Sequence, residues 1–552
     1  MGWHIWIDRG GTFTDVVARA PDGTLHVRKL LSESREQYPD APLHAIQQLL
    51  ATTPGTTIHS IKMGTTVATN ALLERKGARV GLLTTRGFRD LPAIGNQDRP
   101  DLFALDIRKP IPLATEVIEI DERVMADGSV RTPLDESCVR DALDRFRAIG
   151  IESIAVLYLH SYTNPAHEAR TGAIAREAGF THISLSHEVA REIKAVGRGD
   201  TTTADAYLTP ILRRYIAKLE QGLAADAPLF FMQSHGGLAR AKDFSGKNAI
   251  LSGPAGGVVA CAHIAQQAGL SKVIGFDMGG TSTDVSRYDG AYERVFETVV
   301  AGVRVKAPML HIKTVAAGGG SILGVDSGRM IVGPESAGAN PGPACYRRGG
   351  PATVTDANAV LGRVQSAHFP TCFGRDGTDA LDVVASRNRI VELSDMIAAT
   401  SEHRMSPEEA AAGFIRIANE NMARPIRELS MSRGYDVREY ALVCFGGAGG
   451  QHACALAEML GITKILLHPL AGVLSAYGMG LADISHVSSE AVLDVLDQST
   501  LSRVEARCQE LTRANESRLL SDPFDMVSIE HHCSVDLRYL GVDAFLNLPL
   551  HA

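Results

Sequence analysis

The sequence predicts an α/β protein in which one type of domain occurs twice. The main observation is an internal repeat: residues 8–17 read DRGGTFTDVV and residues 277–286 read DMGGTSTDVS, with seven of ten positions identical. Each copy follows a five-residue apolar strand and precedes a second strand. Helices and strands also alternate after residue 136, which is the pattern of an α/β fold. Two equivalent hairpins 269 residues apart therefore indicate a duplicated pair of domains.

The first half begins as a β-meander. Residues 3–7 are an apolar run that predicts a buried strand ending at Asp8, and strands over 16–20 and 26–31 follow the glycine turn. Residues 92–135 are rich in Pro, Asp and Arg and lack a long period, so they predict an insertion. The remaining elements predicted here are helices over 40–51 and 65–76, the second capped by a threonine, a strand over 79–85, a helix over 137–149, a strand over 153–159, a helix over 165–179 and a strand over 181–186.

The second half repeats the alternation and is richer in glycine. Residues 316–350 are dense in Gly and Pro, which predicts loops that approach a ligand closely. The predicted elements are helices over 203–221, 252–268, 407–433 with a kink at Pro425, and 498–520, and strands over 229–233, 272–276 and 440–445, the last followed by a helix to 460. We predict a first domain over 1–200, a second over 201–490, and the start of a truncated domain over 491–552 that ends in the apolar run AFLNLPL.

Composition excludes several classes of function. Hydrophobic residues make up 45% and charged residues 21%, as in globular proteins. The net charge is 55 − 63 = −8 without a basic run, so we expect no nucleic-acid partner and no membrane surface. The chain has no basic signal-peptide region at its start and no apolar stretch long enough to span a bilayer. Eight cysteines without a CxxC pair predict reduced thiols and a cytoplasmic protein.

The repeated hairpin has the chemistry of a phosphate site. A carboxylate ends the first strand, two glycines let backbone N–H groups approach an anion, and a threonine adds a hydroxyl donor. Asp8 and Asp277 are the predicted catalytic residues and would hold Mg²⁺ through water. An ordinary glycine turn would explain one copy equally well, whereas two copies favour binding. The predicted ATP contacts are Gly10, Gly11, Thr12, Thr14, Asp15, Gly279, Gly280, Thr281, Thr283 and Asp284.

The nucleotide motif is not a P-loop, because neither GxxxxGK[ST] nor a strand–GxGxxG–helix occurs. Paired DxGGTxxD hairpins followed by a strand–GGxGG–helix resemble the actin/Hsp70/sugar-kinase ATPase superfamily. That resemblance implies duplicated ATPase domains with a nucleotide cleft between them. It also implies an adenosine contact, at a helix start, for Gly446, Gly447, Gly449 and Gly450.

Longer strings resemble the hydantoinase A/5-oxoprolinase family. They include MGTTVATNALLERKGARVGLLTTRGFRDL, LSGPAGGVV and CFGGAGGQHACALA, and IGNQDRPDLF, HSYTNPAHE and ADAYLTPILRRY favour the 5-oxoprolinase branch. The resemblance implies ATP-dependent opening of 5-oxo-L-proline to L-glutamate, through phosphorylation of the lactam oxygen and with release of ADP and phosphate. It also implies a B-type half, absent from this sequence. The apolar run AFLNLPL predicts self-association, so we expect an oligomer. The alternatives are a hydantoinase, a ketone carboxylase subunit, a small-molecule kinase and a non-catalytic binding module.

Three residues are predicted to reach the substrate: Arg99, Asn70 and His235. Each has a structural alternative, namely a surface ion pair for Arg99 with its neighbour Asp98, a helix cap for Asn70, and a satisfied loop histidine for His235. Four polar residues outside the repeat are predicted to be structural, His452 and Cys345 by packing and Asp356 and Asn358 by capping a helix.

Overall fold

The computed structural model describes residues 2–32, 38–53, 55–97, 99, 102–107, 109, 111–223, 227–369, 371–374, 376–399, 404–521, 524, 526–542 and 544–550. Contacts divide the chain into two compact units. The first consists of Met1–Lys76, Ile211–Thr298 and Pro308–Asp483, and the second of Gly77–Pro210, Val299–Ala307 and Ile484–Ala552. Because the units interleave along the chain, the linear domain boundaries stay a prediction.

The amino-terminal part of the chain contains the meander and an α/β run. Its elements are β1 (Trp3–Arg9), β2 (Phe13–Arg19), β3 (Leu25–Leu31), α1 (Ala41–Thr52), β4 (Ile58–Thr65), α2 (Val67–Leu73), β5 (Val80–Thr85), α3 (Leu91–Ile94), β6 (Ala114–Ile120), β7 (Arg123–Val124), β8 (Val130–Thr132), α4 (Glu136–Ala148), β9 (Ser153–Leu157), α5 (Ala166–Glu177), β10 (His182–Leu185), α6 (Ser186–Val189) and α7 (Ala195–Gly222).

The remaining part begins with β11 (Leu229–Met232), β12 (Leu238–Arg240), α8 (Ser252–Gln267), β13 (Lys272–Met278), β14 (Thr283–Asp289), β15 (Arg294–Val295), β16 (Thr298–Val300), β17 (Val303–Val305), β18 (Met309–Leu310), β19 (Ile312–Val315), β20 (Ser321–Asp326) and β21 (Arg329–Ser336). It continues with α9 (Val354–Val360), α10 (Val383–Ala398), α11 (Pro407–Arg433), β22 (Ala441–Phe445), α12 (Ala453–Leu460), β23 (Ile465–Leu466), α13 (Leu474–Leu481), α14 (Gln498–Leu520), β24 (Ser534–Leu537) and β25 (Leu546–Pro549).

The first unit contains the duplication that the repeat predicts. One sheet has the order β12-β11-β4-β1-β2-β3 and the other has the order β19-β14-β13-β22-β23. In each sheet the repeat strand pairs antiparallel with the next strand and parallel with a later one, β1 with β2 and β4, and β13 with β14 and β22. The third strand of each meander, β3 or β19, is again antiparallel. The α/β fold with a duplicated core is therefore confirmed.

Two glycine-rich helices pack against each other beside the two sheets. Helix α8 contacts α13, and α13 also contacts β1, where Trp6 and Tyr477 meet edge to face with ring centroids 5.9 Å apart. Gly478 lies so close to Gly256 that a Cβ atom on Gly478 would overlap the Gly256 carbonyl oxygen. The missing side chains therefore let these two helix backbones touch.

The second unit is built on a parallel sheet of order β10-β9-β5-β6. Part of the segment predicted as an insertion belongs to this sheet, because β6 pairs with β5. The HSYTNPAHE string lies at its carboxyl edge. There the buried Glu168 carboxylate accepts hydrogen bonds from the Tyr158 backbone N–H (2.9 Å), the Ser186 hydroxyl (2.6 Å) and the His187 ring (2.7 Å). The glutamate thus ties β9 and β10 to the start of α5.

Two further observations bear on the sequence predictions. The eight cysteines are free thiols. Within the described ranges, no helix is long and apolar enough to cross a membrane.

The helix contact gives a test of the packing. We expect Gly478→Ala to lower the free energy of unfolding by about 1–3 kcal/mol, because the backbone of Gly256 cannot move away as a side chain could. Urea unfolding followed by circular dichroism measures the change. Gly472→Ala is the matched control, since a Cβ there meets open space. Equal midpoints for the two variants would contradict this account of the α8–α13 contact.

Candidate active site

The structure brings the four predicted carboxylates together. Asp8 is paired with Asp15 across β1 and β2, and Asp277 is paired with Asp284 across β13 and β14. All four are half-buried. The charges of Asp15 and Asp284 act on both Asp8 and Asp277, and the charge of Asp8 also acts on Asp277. The two hairpins of the repeat therefore form one electrostatic cluster.

Burial and mutual repulsion disfavour ionisation of this cluster. Burial is the larger cause, followed by the neighbouring aspartates, and together they raise the pKa of Asp8 to about 7 and that of Asp277 to about 8. Burial also raises the pKa of Asp284 to about 6, and it raises the pKa of Asp15 as well. A cation bound among these groups would relieve the repulsion.

Asp8 sits against backbone on two sides. A Cβ on Gly64 of β4 would lie 3.2 Å from Asp8 Oδ1, and one on Gly253, in the first turn of α8, would lie 3.0 Å from the same atom. Among the described residues, this buried oxygen has no hydrogen-bond partner. The positive end of α8 favours the ionised carboxylate there. An orphan acceptor of this kind suits a ligand's donor or the water of a hydrated cation.

Asp277 is held by the segment that precedes and begins α13. Ser475 donates its hydroxyl to Asp277 Oδ2 at 3.1 Å. Gly446, with φ of +82°, lies so close that a Cβ atom would overlap Asp277 Oδ1, and its N–H donates to the Ala471 carbonyl at 3.0 Å. The Ala448 N–H donates to the Met278 carbonyl at 2.9 Å. The predicted adenosine loop is therefore fixed directly to the second hairpin.

The two hairpin turns have the same geometry. Gly10 N–H donates to the Phe13 carbonyl and Gly279 N–H to the Ser282 carbonyl, both at 3.0 Å. A Cβ atom on Gly11, Gly280, Gly447 or Gly450 would meet nothing within 4 Å, so these backbones are open to a ligand, whereas Gly449 packs against the Cys444 thiol.

The four threonines of the repeat divide into two kinds. Thr14 and Thr283 are buried, with the Thr14 hydroxyl 3.0 Å from that of Ser32 and the Thr283 hydroxyl donating to the Ala317 carbonyl at 2.6 Å. Thr14 thus holds its hairpin to a neighbouring side chain, and Thr283 holds its hairpin to neighbouring backbone. Thr12 and Thr281 lie in the turns and are accessible.

The glycine-rich segment after β19 supports the second hairpin. Gly319 N–H donates to the Gly279 carbonyl at 3.0 Å, and Gly320 N–H donates to the Gly280 carbonyl at 2.6 Å. Thr355, at the start of α9, donates its N–H to the Gly319 carbonyl at 2.7 Å. This part of the predicted 316–350 loop region thus fixes the shape of the turn that carries Gly279 and Gly280.

The predicted substrate residues do not form one group within a unit. Asn70 is on α2, with its side chain 3.4 Å from the Thr66 hydroxyl, and His235 is buried with Nδ1 3.3 Å from the Gly237 N–H. Arg99 is exposed and belongs to the second unit, and Asp98 lies outside the described residues. Their roles stay predictions.

The residues predicted to be structural are buried in the first unit. His452 Nδ1 lies 2.6 Å from Asn419 Oδ1 and its Nε2 lies 3.1 Å from the Asn358 amide, and burial lowers the pKa of His452 to about 4. Asp356 completes a capping box with Thr353 at the start of α9. A threonine, Thr66, is at the cap position of α2 as predicted, but its hydroxyl donates to the Arg9 carbonyl at 3.3 Å. The first-turn N–H of Val67 donates instead to the Thr65 hydroxyl at 3.2 Å.

Sequence inspection missed two residues of the site. Lys29 on β3 pairs with Asp15 at 2.5 Å, and Ser475 contacts Asp277 from 198 positions away. Lys29 could have been found from strand register, because it stands opposite Asp15. Nothing in the sequence near Ser475 indicates its partner.

The donor set fits a hydrated divalent cation. In the described part of the chain, no three His, Cys, Asp or Glu side chains are arranged to ligate a metal directly. Mg²⁺ keeps several of its waters and commonly takes one or two carboxylates, so Asp8 and Asp277 suit it as acceptors of those waters. The uncompensated charge of the cluster favours the same ion.

Two solved structures share the fold of this chain. A crystal structure of ATP-dependent caprolactamase from Pseudomonas jessenii superposes with a TM-score of 0.82 at 32% identity, covering 100% of this chain and 81% of that one. Nucleotide-free acetone carboxylase superposes with a TM-score of 0.75 at 24% identity, covering 99% and 80%, and shares the fold.

Sequence comparison then gives the family. The hydantoinase/oxoprolinase N-terminal region profile matches residues 4–179, and the hydantoinase/oxoprolinase profile matches residues 198–488. The caprolactamase subunit alpha of Pseudomonas jessenii is 35% identical, over 98% of this chain and 79% of that protein. The chain belongs to the hydantoinase/oxoprolinase family.

Proteins named 5-oxoprolinase are more similar in sequence but much longer. The identity is 46% with 5-oxoprolinase 1 of Arabidopsis thaliana and 45% with 5-oxoprolinase of Saccharomyces cerevisiae, over 97% and 98% of this chain. In both cases the match covers 46% of the relative. The chain therefore spans about half the length of these relatives.

The carboxylate cluster predicts a pH dependence of stability. A carboxyl group with a raised pKa binds its proton more tightly in the folded chain, so stability falls as pH rises from the unfolded value near 4 toward the folded values of about 6 to 8. Without divalent cations, we expect the free energy of unfolding to decrease between pH 6 and pH 8.5. Asp277→Asn should flatten this slope.

Urea unfolding at several pH values, in the presence of a chelator, measures the slope. Asp436→Asn is the control, because the exposed Asp436 is held by Arg438 and its pKa is lowered to about 2, outside this window. A slope that is the same in wild type and Asp277→Asn would show that Asp277 is ionised throughout.

Proposed function

We propose that this chain is the ATP-using part of a 5-oxoprolinase, which opens 5-oxo-L-proline to L-glutamate with release of ADP and phosphate. The observation that carries the proposal is the pair of carboxylate–glycine hairpins, held in one cluster within a chain that is 46% identical to 5-oxoprolinase 1. The hairpins support the binding of phosphate groups, and the sequence identity supports 5-oxoproline as the substrate.

The reaction needs an energy source because a five-membered lactam is a poor electrophile. Transfer of the γ-phosphoryl group from ATP to the lactam oxygen gives ADP and converts that oxygen into a leaving group. One water then adds to the ring carbon and the C–N bond breaks, leaving an acyl phosphate. A second water releases phosphate, so the products are L-glutamate, ADP and phosphate.

The chain's residues act mainly by position and charge, as is general for phosphoryl transfer. The open backbone at Gly11 and Gly280 would donate to phosphate oxygens from two sides, with the hydroxyls of Thr12 and Thr281. Gly447 and Gly450 would accept the adenosine end against their open backbone. Asp8 and Asp277, which belong to one carboxylate cluster, would orient the reacting groups.

A magnesium ion fits this assignment. Asp8 and Asp277 would hold it through its waters, and Asp15 and Asp284 would add negative charge to the surroundings. When bound, the ion neutralises charge on the phosphate oxygens. The raised pKa values of the cluster imply that binding of such an ion displaces protons.

We propose that a B-type half completes the enzyme. The chain covers 46% of the 5-oxoprolinases but 79% of the caprolactamase subunit alpha, whose name indicates a protein divided into subunits. Shielding an activated lactam from bulk water and delivering one oriented water requires further walls. A second polypeptide or a second half of the same protein would supply them.

A different lactam is the one alternative that an observation favours. The caprolactamase has the same fold and is 32% identical in the superposed chains. The fold alone therefore does not determine which lactam ring is the substrate. Turnover of 5-oxoproline, caprolactam and hydantoin in parallel distinguishes the two. ADP release stimulated only by caprolactam or hydantoin would overturn the 5-oxoproline assignment.

The partner requirement gives one prediction. The chain alone should bind ATP with Mg²⁺ but form glutamate at well below about 1 s⁻¹, an ordinary enzyme rate. Adding the part of the Saccharomyces cerevisiae relative that this chain does not cover should raise turnover. In that mixture, Asp277→Asn should lower ADP release by roughly 10²–10³-fold, and Asp436→Asn should leave it unchanged. Full activity of the chain alone would contradict the two-part enzyme.

The contact between Gly446 and Asp277 gives another prediction. Gly446→Ala introduces both a strained φ and an overlap with the Asp277 carboxylate, so we expect the dissociation constant for Mg·ATP to rise at least about tenfold. Calorimetry measures it. Gly461→Ala is the matched control, because Gly461 has φ of +70° but lies against the Arg438 side chain. A similar loss in both variants would assign the effect to strain alone.

A further inference from the structure

We propose that Lys29 contacts the phosphates of the bound nucleotide and makes the duplicated site electrically asymmetric. The inference rests on the proposed function, because it names a specific residue for the nucleotide site. No motif indicates this lysine, which lies outside the repeated string on the third strand of the first meander.

The asymmetry is visible when the two meanders are compared strand by strand. Asp15 on β2 stands opposite Lys29 on β3, and Asp284 on β14 stands opposite Thr314 on β19. Lys29 Nζ lies 2.5 Å from Asp15 Oδ1, whereas the Thr314 hydroxyl donates to Asp284 Oδ1 at 2.6 Å. Equivalent positions therefore place an ammonium group in one hairpin and a neutral hydroxyl in the other.

The other cation of the first hairpin is directed elsewhere. The Arg9 guanidinium lies over the Tyr215 ring, 4.9 Å from its centroid, and 3.9 Å from the Asp40 carboxylate. Its counterpart in the second hairpin is Met278, which is buried. Lys29 is thus the lysine that faces the carboxylate cluster, and its charge also acts on Asp8.

Lys29 has a donor left for a ligand. An ammonium group carries three N–H donors. One is directed to Asp15 and another to the Gly472 carbonyl, 3.4 Å away. The ammonium group also lies 5.0 Å from the centroid of the Phe13 ring, a contact that uses no hydrogen-bond acceptor, and 30% of the side chain is exposed. A phosphate oxygen would accept a hydrogen bond from the remaining donor.

The charge balance of the site favours such a group. Four carboxylates and one ammonium sum to −4 + 1 = −3 when all are ionised. A polyphosphate adds several more negative charges and would be repelled unless fixed cations stand near it. Lys29 supplies one at the first hairpin. The divalent cation between Asp8 and Asp277 would supply the positive charge near the second hairpin, where Asp277 and Asp284 have no basic partner in the described structure.

The experiment compares nucleotide binding by calorimetry in wild type and Lys29→Met. We expect Lys29→Met to weaken binding of Mg·ATP and Mg·ADP by about tenfold to a hundredfold and to leave adenosine binding unchanged, because a lost charge-assisted hydrogen bond affects only the phosphate end. Lys313→Met is the matched control. It removes a positive charge from the equivalent strand β19, at the position opposite Val285, and should change Mg·ATP binding less than twofold.

A double variant separates ligand binding from simple neutralisation of Asp15. If Lys29 only neutralises Asp15, the variant Lys29→Met/Asp15→Asn should bind Mg·ATP with the same affinity as Asp15→Asn alone. Under the proposal the double variant binds Mg·ATP at least about tenfold more weakly than Asp15→Asn, because only the single variant keeps the lysine. Lys29→Gln, which keeps a neutral donor, serves if Lys29→Met does not fold.

The outcomes are distinguishable from failure of the proposed function. If wild type does not bind ATP, the proposed function is wrong. If wild type binds ATP and Lys29→Met binds equally, or the double variant binds as well as Asp15→Asn, the assignment of Lys29 is overturned and the nucleotide site stands.

Discussion

The structure depends above all on bringing four like charges together. Asp8, Asp15, Asp277 and Asp284 repel one another in a half-buried setting, and the fold holds them there with backbone contacts that a side chain would block. Gly64 and Gly253 close around Asp8, and Gly446 closes around Asp277. Binding of a cation relieves this repulsion and so lowers the free energy of the protein. This relief is a physical basis for binding a metal–polyphosphate ligand at the site.

One short segment connects the parts of this cluster. Residues 471–475 accept from Lys29 through the Gly472 carbonyl, accept from the Gly446 N–H through the Ala471 carbonyl, and donate from Ser475 to Asp277. The segment leads into α13, which packs against α8 and β1. The first meander, the second hairpin and the glycine loop therefore all contact one helix start.

The duplication does not produce two equal sites. The carboxylates, the turn geometry and the strand order are the same in both copies, but the third strands differ where they face the cluster, at Lys29 and Thr314. A nucleotide is itself asymmetric along its phosphate chain and needs different neighbours on each side. The difference between Lys29 and Thr314 provides such an asymmetry without altering either fold.

The sequence by itself determined the duplicated α/β fold and the four carboxylates, because a repeated strand–carboxylate–glycine pattern allows few alternatives. Helices 407–433 and 498–520 were predicted to the residue, since their caps and periodicity are local. Strand β4, helix α13 and the sheet role of β6 were not, because their signals are short or mixed with loop residues. The pairing of Lys29 with Asp15 follows from the register of one hairpin, but only the tertiary structure decided that Thr14 and Thr283 are buried and that Ser475 reaches Asp277. The burial depends on packing, and the Ser475 contact joins residues 198 positions apart, which no local pattern encodes.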